Sequence, residues 1–206
     1  MEKFSKNEIE ILDLFRKDIF LKKTIREMSI LLKKSYPKVY DAAKKLERRK
    51  AITLEKVGGS SLCNMLLSKE SISLLSFLDE QEAISKNIPG IEKILEFKEF
   101  YDDIIIVAGS YAKGKHTSKS DIDIVVIAKE KITQKQKLLE NLTLTFHPEV
   151  HPLVFSYENF KEMLLDKNET FAKQVFKNKI IFRNTERYYL LIDEAIENGF
   201  RRENLH

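Results

Sequence analysis

The sequence predicts a protein of mixed α/β (α+β) class that is built from two modules. Helical periodicity followed by a β-hairpin pattern fills residues 1–68, and apolar strand runs alternate with helices in the remainder. The sign of the net charge changes at the same place. Residues 1–68 hold 16 Lys and Arg against 9 Asp and Glu, whereas residues 69–206 hold 20 Lys and Arg against 23 Asp and Glu. We expect a first module over 1–68, a connecting helix and linker over 69–89, a second module over 90–182 and a C-terminal helix over 183–206.

Three helices are predicted in the first module. The helices expected over 5–17 and 24–32 each begin with the Ser/Thr-x-x-Glu pattern of a capping box and carry apolar residues at helical spacing. A third helix, over 35–50, begins at Ser35, which can cap it, and is rich in lysine and arginine.

A β-hairpin is predicted after the third helix. Strand-forming residues at 51–54 and 62–67 flank a turn at Gly58-Gly59. Helix, short helix, basic helix and hairpin is the order of a winged helix-turn-helix domain, which this segment resembles. The resemblance implies that the third helix is a recognition helix. The residues expected to contact DNA are Tyr36, Lys38, Lys44, Lys45, Arg48 and Arg49.

A basic recognition helix favours an anionic partner. Its lysines and arginines would pair with DNA phosphates, while its first turn would reach base edges in the major groove. The excess positive charge of the module agrees with this interpretation. A winged helix used for protein contacts or dimerisation, with a solvated lysine-rich surface, is the alternative.

Helices and strands alternate after the first module. A connecting helix is expected over 71–85, and Asn87-Ile88-Pro89-Gly90 has the composition of a loop. Near-continuous Ile and Val runs indicate strands buried on both faces, so helices should cover a small mixed sheet. The expected elements are a helix over 91–100, strands at 103–108 and 122–128, a helix near 133–141, a strand near 149–155, helices near 157–166 and 169–178, an apolar stretch at 180–182 and a last helix from Asn184.

Two short polar stretches stand at the edges of two of these strands. Gly109-Ser110 ends the first strand, and Asp121-Ile122-Asp123 opens the next after ten intervening residues. Alternate residues of a strand face the same side, so both carboxylates can be directed at one spot. Adjacent carboxylates repel unless a cation lies between them, and Mg²⁺ binds one or two carboxylates plus phosphate oxygens. A metal–nucleotide site is therefore predicted here.

This pattern resembles the signature of the DNA polymerase β nucleotidyltransferase superfamily, and most closely that of its minimal branch. In that signature a Gly-Ser pair is followed, after ten residues, by Asp-x-Asp, between two hydrophobic strands. The resemblance covers about residues 90–182, and the preceding winged helix makes the whole similar to archaeal proteins that fuse the two modules. Lys113 departs from the pattern, because relatives usually have arginine there. Lysine keeps the charge but loses the planar fork that binds phosphate bidentately.

The resemblance implies an enzyme that transfers a nucleotide from an NTP to a hydroxyl or a partner protein. Asp121 and Asp123 would be catalytic and bind Mg²⁺, with two ions expected and Mn²⁺ as the alternative metal. Gly109, Ser110 and Lys113 would bind the nucleotide. The second metal would lower the pKa of the acceptor hydroxyl for attack on the α-phosphate.

This chemistry normally needs a third carboxylate on a neighbouring strand, and the sequence leaves its identity open. Between Asn141 and Tyr157 the only acid is Glu149, which is the candidate third catalytic residue. In an extended chain Glu149 would share a face with His151, which is the alternative occupant of that position. The His147 and His151 pair is a weak pattern for zinc, and ordinary strand-end histidines are favoured.

Composition limits the partners and the compartment. No apolar run approaches the roughly 20 residues that a membrane span needs, and a single cysteine, Cys63, fits a reducing cytoplasm. We expect a cytoplasmic protein that binds NTP, DNA and a partner protein, which in an antitoxin-like role would be a toxin; a homodimer is left open. The alternative is a DNA-binding regulator whose transferase-like domain only binds nucleotide or mediates assembly.

Overall fold

A computed structural model describes residues 4–205 of the chain. The chain separates into two units, and the division falls between Leu78 and Asp79. None of the helices within 4–205 is both long enough and apolar enough to cross a membrane.

Among the described residues, the first unit contains three complete helices, the first part of a fourth and a small antiparallel sheet. Its elements are α1 (Lys6–Lys17), β1 (Lys23–Thr24), α2 (Ile25–Leu31), α3 (Tyr36–Arg48), β2 (Ile52–Val57) and β3 (Ser60–Met65). The strand order is β1-β3-β2. The predicted helices and hairpin are present, whereas β1 has only two residues and is too short to show a periodic pattern.

The first residues of the three helices show whether the predicted N-cap side chains form their hydrogen bonds. Ser5 and Thr24 each complete a capping box with the glutamate three residues later, which confirms both predictions. Ser35 is the N-cap residue of α3, as predicted, but its side chain makes no capping hydrogen bond to any described residue. Pro37, at the second helical position, has no N–H, which removes one of the two backbone donors that an N-cap side chain usually accepts from.

The core of the first unit lies between α1, α3 and the hairpin. Apolar side chains of both helices and of the strands are almost completely buried there, and they include Ile11, Leu12, Phe15, Val39, Ala43, Leu46, Ile52 and Cys63. This core leaves the opposite side of α3 at the surface.

The second unit is built around a four-stranded sheet. Helix α4 (Lys69–Ser85) spans the division between the units. The elements that follow are α5 (Ile91–Leu95), β4 (Ile104–Val107), α6 (Gly109–Ala112), β5 (Ile122–Ala128), α7 (Ile132–Thr143), β6 (Val150–Ser156), α8 (Tyr157–Leu165), α9 (Phe171–Lys177), β7 (Ile180–Arg183) and α10 (Thr185–Glu197), with short 3₁₀ helices at Lys98–Phe100 and Arg202–Leu205.

The sheet is mixed, with strand order β6-β5-β4-β7. Strands β5 and β6 are parallel, whereas β4 is antiparallel to both of its neighbours. Every residue of β4 is buried, and helices cover the sheet as strands buried on both faces require. The small mixed sheet flanked by helices confirms the predicted fold class.

One predicted helix of this unit is broken. The pattern over 91–100 predicts a single helix, but α5 ends at Leu95 and Phe97 adopts an extended conformation before a 3₁₀ turn. The guanidinium of Arg183 donates a hydrogen bond to the Leu95 carbonyl, so a distant side chain satisfies the end of the helix.

Candidate active site

The two polar stretches lie together at one edge of the four-stranded sheet. Strands β4 and β5 are antiparallel with Val107 opposite Ile124, so the end of β4 lies beside the start of β5. The N–H of Ala108 donates to the carbonyl of Asp123 over 2.9 Å. This hydrogen bond places Gly109, the next residue along the chain, directly beside Asp123.

Gly109 meets two requirements at this position. Its φ is +64°, in the left-handed region that residues with a side chain rarely adopt. A β-carbon built on Gly109 would lie 1.9 Å from Oδ2 of Asp123. The glycine thus provides both the turn out of the strand and the space for the carboxylate.

Helix α6 forms a single short turn from Gly109. The N–H groups of its first residues have no acceptor within the helix itself, and the helix begins where the chain leaves β4. Ser110 is half-buried in this turn, and Lys113 is exposed at its end. The turn closes when the N–H of Lys113 donates to the Gly109 carbonyl over 3.2 Å.

The loop after α6 is fixed by an aromatic contact. The rings of Tyr111 and His116 stack with centroids 4.1 Å apart and planes 7° from parallel. Tyr111 is buried and His116 is exposed, so the stack holds the exposed loop against the unit. No sequence pattern predicts this contact, because it depends on the path of the loop between the two residues.

Asp123 is the second residue of β5, and Asp121 immediately precedes the strand. Their side chains are 43% and 28% exposed, so both are accessible to a ligand. Their spacing by two residues places them on one face of the strand. The geometry agrees with the predicted carboxylate pair, while the roles of both residues stay proposals.

His151 lies against both carboxylates. It is opposite Asp123 in the parallel register of β5 and β6. Its Nε2 lies 3.6 Å from Oδ2 of Asp121, and its Nδ1 lies 3.6 Å from Oδ1 of Asp123. Of the two candidates that the sequence leaves open for the neighbouring strand, the imidazole of His151 is the group that spans the acidic pair.

Glu149 lies just before β6 and is exposed. Its carbonyl accepts a hydrogen bond from the N–H of Ile122 over 2.9 Å, so its backbone belongs to the same edge of the sheet. Its catalytic role stays a prediction. Within residues 4–205, no group of three or more His, Cys, Asp or Glu side chains is arranged to hold a metal ion, including the zinc pattern that His147 and His151 suggested.

The donor set at this edge therefore fits one divalent cation more readily than two. Asp121 and Asp123 supply two accessible carboxylates on one face, which matches the one or two carboxylates that Mg²⁺ takes when phosphate oxygens complete its shell.

Most of the residues predicted to contact DNA are on the outer side of α3. Tyr36, Lys38, Lys45 and Arg48 are exposed. The ring of Tyr36 stacks on that of Tyr40, with centroids 5.9 Å apart.

Two other predicted DNA contacts are engaged within the first unit. Nζ of Lys44 lies 2.8 Å from Oε2 of Glu47, one turn further along α3. The Arg49 side chain is only 20% exposed, because its guanidinium pairs with the buried Glu8 carboxylate at 3.6 Å and lies over the ring of Phe4. The attraction of a buried carboxylate turns Arg49 inward, and we leave it out of the proposed DNA-contacting set.

A second charged feature lies at the opposite edge of the four-stranded sheet, where β4 begins and β5 ends. A cavity of about 550 Å³ is lined there by charged side chains of both signs, among them Asp103, Lys135 and Arg187. Lys135 donates a hydrogen bond to the buried Asp103 carboxylate. Burial raises the pKa of the Asp103 carboxyl above its usual value, and Lys135 opposes this shift.

Comparisons with known proteins agree with this geometry. Residues 91–187 match the family described as polymerase beta, nucleotidyltransferase, and the matched segment contains Gly109-Ser110, both aspartates and His151. A Methanocaldococcus jannaschii protein provisionally named as a protein adenylyltransferase is 29% identical over 97 residues, which cover 41% of this chain and 97% of that relative. No solved structure matches the chain. The matched segment is a nucleotidyltransferase domain, and both matches support nucleotide transfer as the reaction of the chain.

Proposed function

We propose that the chain transfers a nucleotide from an NTP to a hydroxyl acceptor on a protein, with a divalent cation, at the sheet edge formed by α6 and the start of β5. The observation that carries this proposal is the contact between Gly109 and Asp123. It brings the first turn of α6, which suits phosphate, against the carboxylates that suit a metal ion.

In this proposal, one group of residues binds the phosphates of the NTP and another binds the divalent cation. The hydroxyl of Ser110, the N–H groups of the α6 turn and the ammonium of Lys113 bind β- and γ-phosphate oxygens. A divalent cation on Asp121 and Asp123 would neutralise the triphosphate and orient the α-phosphate for attack. The acceptor oxygen forms a bond to the α-phosphorus while the bond to pyrophosphate breaks, and the hydroxyl proton leaves to solvent.

The acceptor and the nucleotide are proposed from the relative. Its name specifies a protein as acceptor and an adenylyl group as the transferred group. A protein hydroxyl as acceptor also fits the exposed edge, because the side chains of Asp121 and His151 are 43% and 56% accessible and leave room for a large substrate.

Labelled nucleotides test the reaction. The chain is incubated with Mg²⁺, a cell extract from its source as acceptor, and ATP labelled at the α- or the γ-phosphate. We expect label on protein only from the α-position, because nucleotide transfer releases the β- and γ-phosphates as pyrophosphate. Equal transfer from the γ-position would indicate phosphoryl transfer and contradict the proposal.

A second function, DNA binding by the first unit, is supported by a separate observation. The exposed side of α3 carries Lys38, Lys45 and Arg48 next to the stacked Tyr36 and Tyr40. The order of three helices and a hairpin is also the order of a winged helix. We propose that this side contacts DNA phosphates and bases. An antitoxin-like regulator, whose transferase modifies a partner toxin and whose first unit binds its own promoter, would use both functions. The alternative is a regulator whose nucleotidyltransferase domain only binds nucleotide.

A further inference from the structure

We infer that the site takes a single divalent cation, brought by the nucleotide, because His151 occupies the place where a second ion would need a third carboxylate. This inference rests on the proposed function, since it concerns the metal content of the same NTP-binding edge. It also replaces the two ions that the sequence resemblance implies by one.

The position of His151 is set by backbone register. Strands β5 and β6 are parallel over their whole length, and Asp123 is paired with His151. The ring nitrogens of His151 each lie 3.6 Å from a carboxylate oxygen, one of Asp121 and the other of Asp123, so its side chain is next to both carboxylates. Any third group on β6 that shared a metal with both aspartates would have to stand there.

An imidazole at this position does not supply the negative charge and oxygen ligands with which a carboxylate would hold a second metal ion. Two metal ions that act together lie about 3.5–4 Å apart, so their mutual repulsion has to be offset by negative groups between and beside them. A neutral imidazole adds no negative charge to the two carboxylates. It also replaces an oxygen donor by nitrogen, whereas Mg²⁺ and Mn²⁺ favour oxygen.

Glu149 is the other candidate for a third carboxylate, and its placement is less suited. It precedes β6, and the hydrogen bond from Ile122 to its carbonyl fixes its backbone one step before the strand pairing begins. Its side chain is exposed. His151 follows it two residues later, in the strand itself, where the register pairs it with Asp123.

Counting bound Mn²⁺ tests the inference without measuring activity. The intact chain is titrated with Mn²⁺ in the presence of a non-hydrolysable ATP analogue, and free Mn²⁺ is followed by electron paramagnetic resonance. A titration of the analogue without protein gives the Mn²⁺ that the analogue holds by itself. We expect the saturated chain to hold one Mn²⁺ for each bound analogue. His151→Asp should bind two, because it restores a three-carboxylate set, and the matched neutral variant His151→Asn should still bind one.

The contrary results are distinct. Two Mn²⁺ ions per nucleotide in the unaltered chain, or an unchanged single ion in His151→Asp, would overturn the inference while leaving the proposed function intact. Loss of an ion in Glu149→Gln from a chain that binds two would identify Glu149 as the third ligand. If the chain bound neither the analogue nor Mn²⁺, both the proposed function and the inference would be wrong.

Discussion

The α-carbon of Gly109 and the carboxylate of Asp123 are packed so closely that a β-carbon on Gly109 would lie 1.9 Å from Oδ2 of Asp123. The contact joins the end of β4 to the start of β5, and so joins the proposed phosphate-binding turn to the proposed metal-binding pair. A displacement of either residue would disturb both halves of the site.

Gly109→Ala should therefore reduce nucleotide transfer by about a hundredfold, because a shift of about 1 Å in a catalytic group costs about that much. Gly114→Ala is a matched control. Gly114 has nearly the same positive φ, +63°, but nothing lies within 4 Å of its β-carbon position. We expect Gly114→Ala to lose some stability and to keep most of its activity in the label-transfer assay. Similar activity losses in both variants would show that backbone strain, and not the Asp123 contact, is what matters.

DNA binding by the first unit should depend steeply on salt, because each phosphate contact releases counterions. Lys45→Ala and Arg48→Ala should each lower the slope of log affinity against log salt by about 1 if both residues bind phosphates. Lys17→Ala removes the same charge from α1, where Lys17 pairs with Asp13, and should change the slope little. Fluorescence anisotropy with a promoter fragment measures this. An equal effect of all three substitutions would point to non-specific attraction by net charge.

The buried pair of Asp103 and Lys135 should stabilise the second unit. Lys135→Met would leave the Asp103 carboxylate, whose side chain is 3% exposed, buried without its partner. Breaking a buried ion pair costs about 3 kcal/mol or more, so urea unfolding at neutral pH should show a loss of about 3 kcal/mol. Lys129→Met, at an exposed position on the same cavity, should change the unfolding free energy much less.

This loss should depend on pH in a definite direction. The pKa of Asp103 is raised by burial and lowered in part by Lys135. A carboxyl with a raised pKa in the folded state contributes stability that is present below its unfolded pKa and is lost as the pH rises through the folded pKa. Lys135→Met raises that pKa further, so its destabilisation should shrink as the pH falls toward about 4. A loss that stays constant between neutral pH and that value would exclude the buried carboxylate as the cause.

The local patterns predicted much of the second unit because they are strong there. The strand expected over 122–128 is present as Ile122–Ala128, since its four consecutive β-branched residues, 124–127, favour a buried strand. Because alternate residues of a strand face the same side, the predicted strand also places Asp121 and Asp123 on one face. Ser5 and Thr24 likewise act within four residues of their partners, so their capping boxes can be read without knowledge of the fold.

The rest depends on contacts between distant parts of the chain. Glu149 and His151 are equivalent in an alternating pattern, and only the parallel register of β5 and β6 places His151 beside Asp123. Arg49 lies in a run of basic residues that looks uniformly exposed, yet the buried Glu8, on another helix, turns it inward. Sequence periodicity shows which side of an element is apolar, but not which distant group attracts a particular side chain.

The most direct test of nucleotide transfer is the double variant Asp121→Asn with Asp123→Asn. Asparagine has nearly the shape of aspartate but no charge, so the variant should fold while losing the metal-binding pair. Asp102→Asn, at a carboxylate that is 89% exposed at the opposite edge of the sheet, is the control. We predict that transfer of label from α-labelled ATP with Mg²⁺ is abolished in the double variant and retained in Asp102→Asn. Equal labelling by the double variant and the unaltered chain would contradict the assignment of this site.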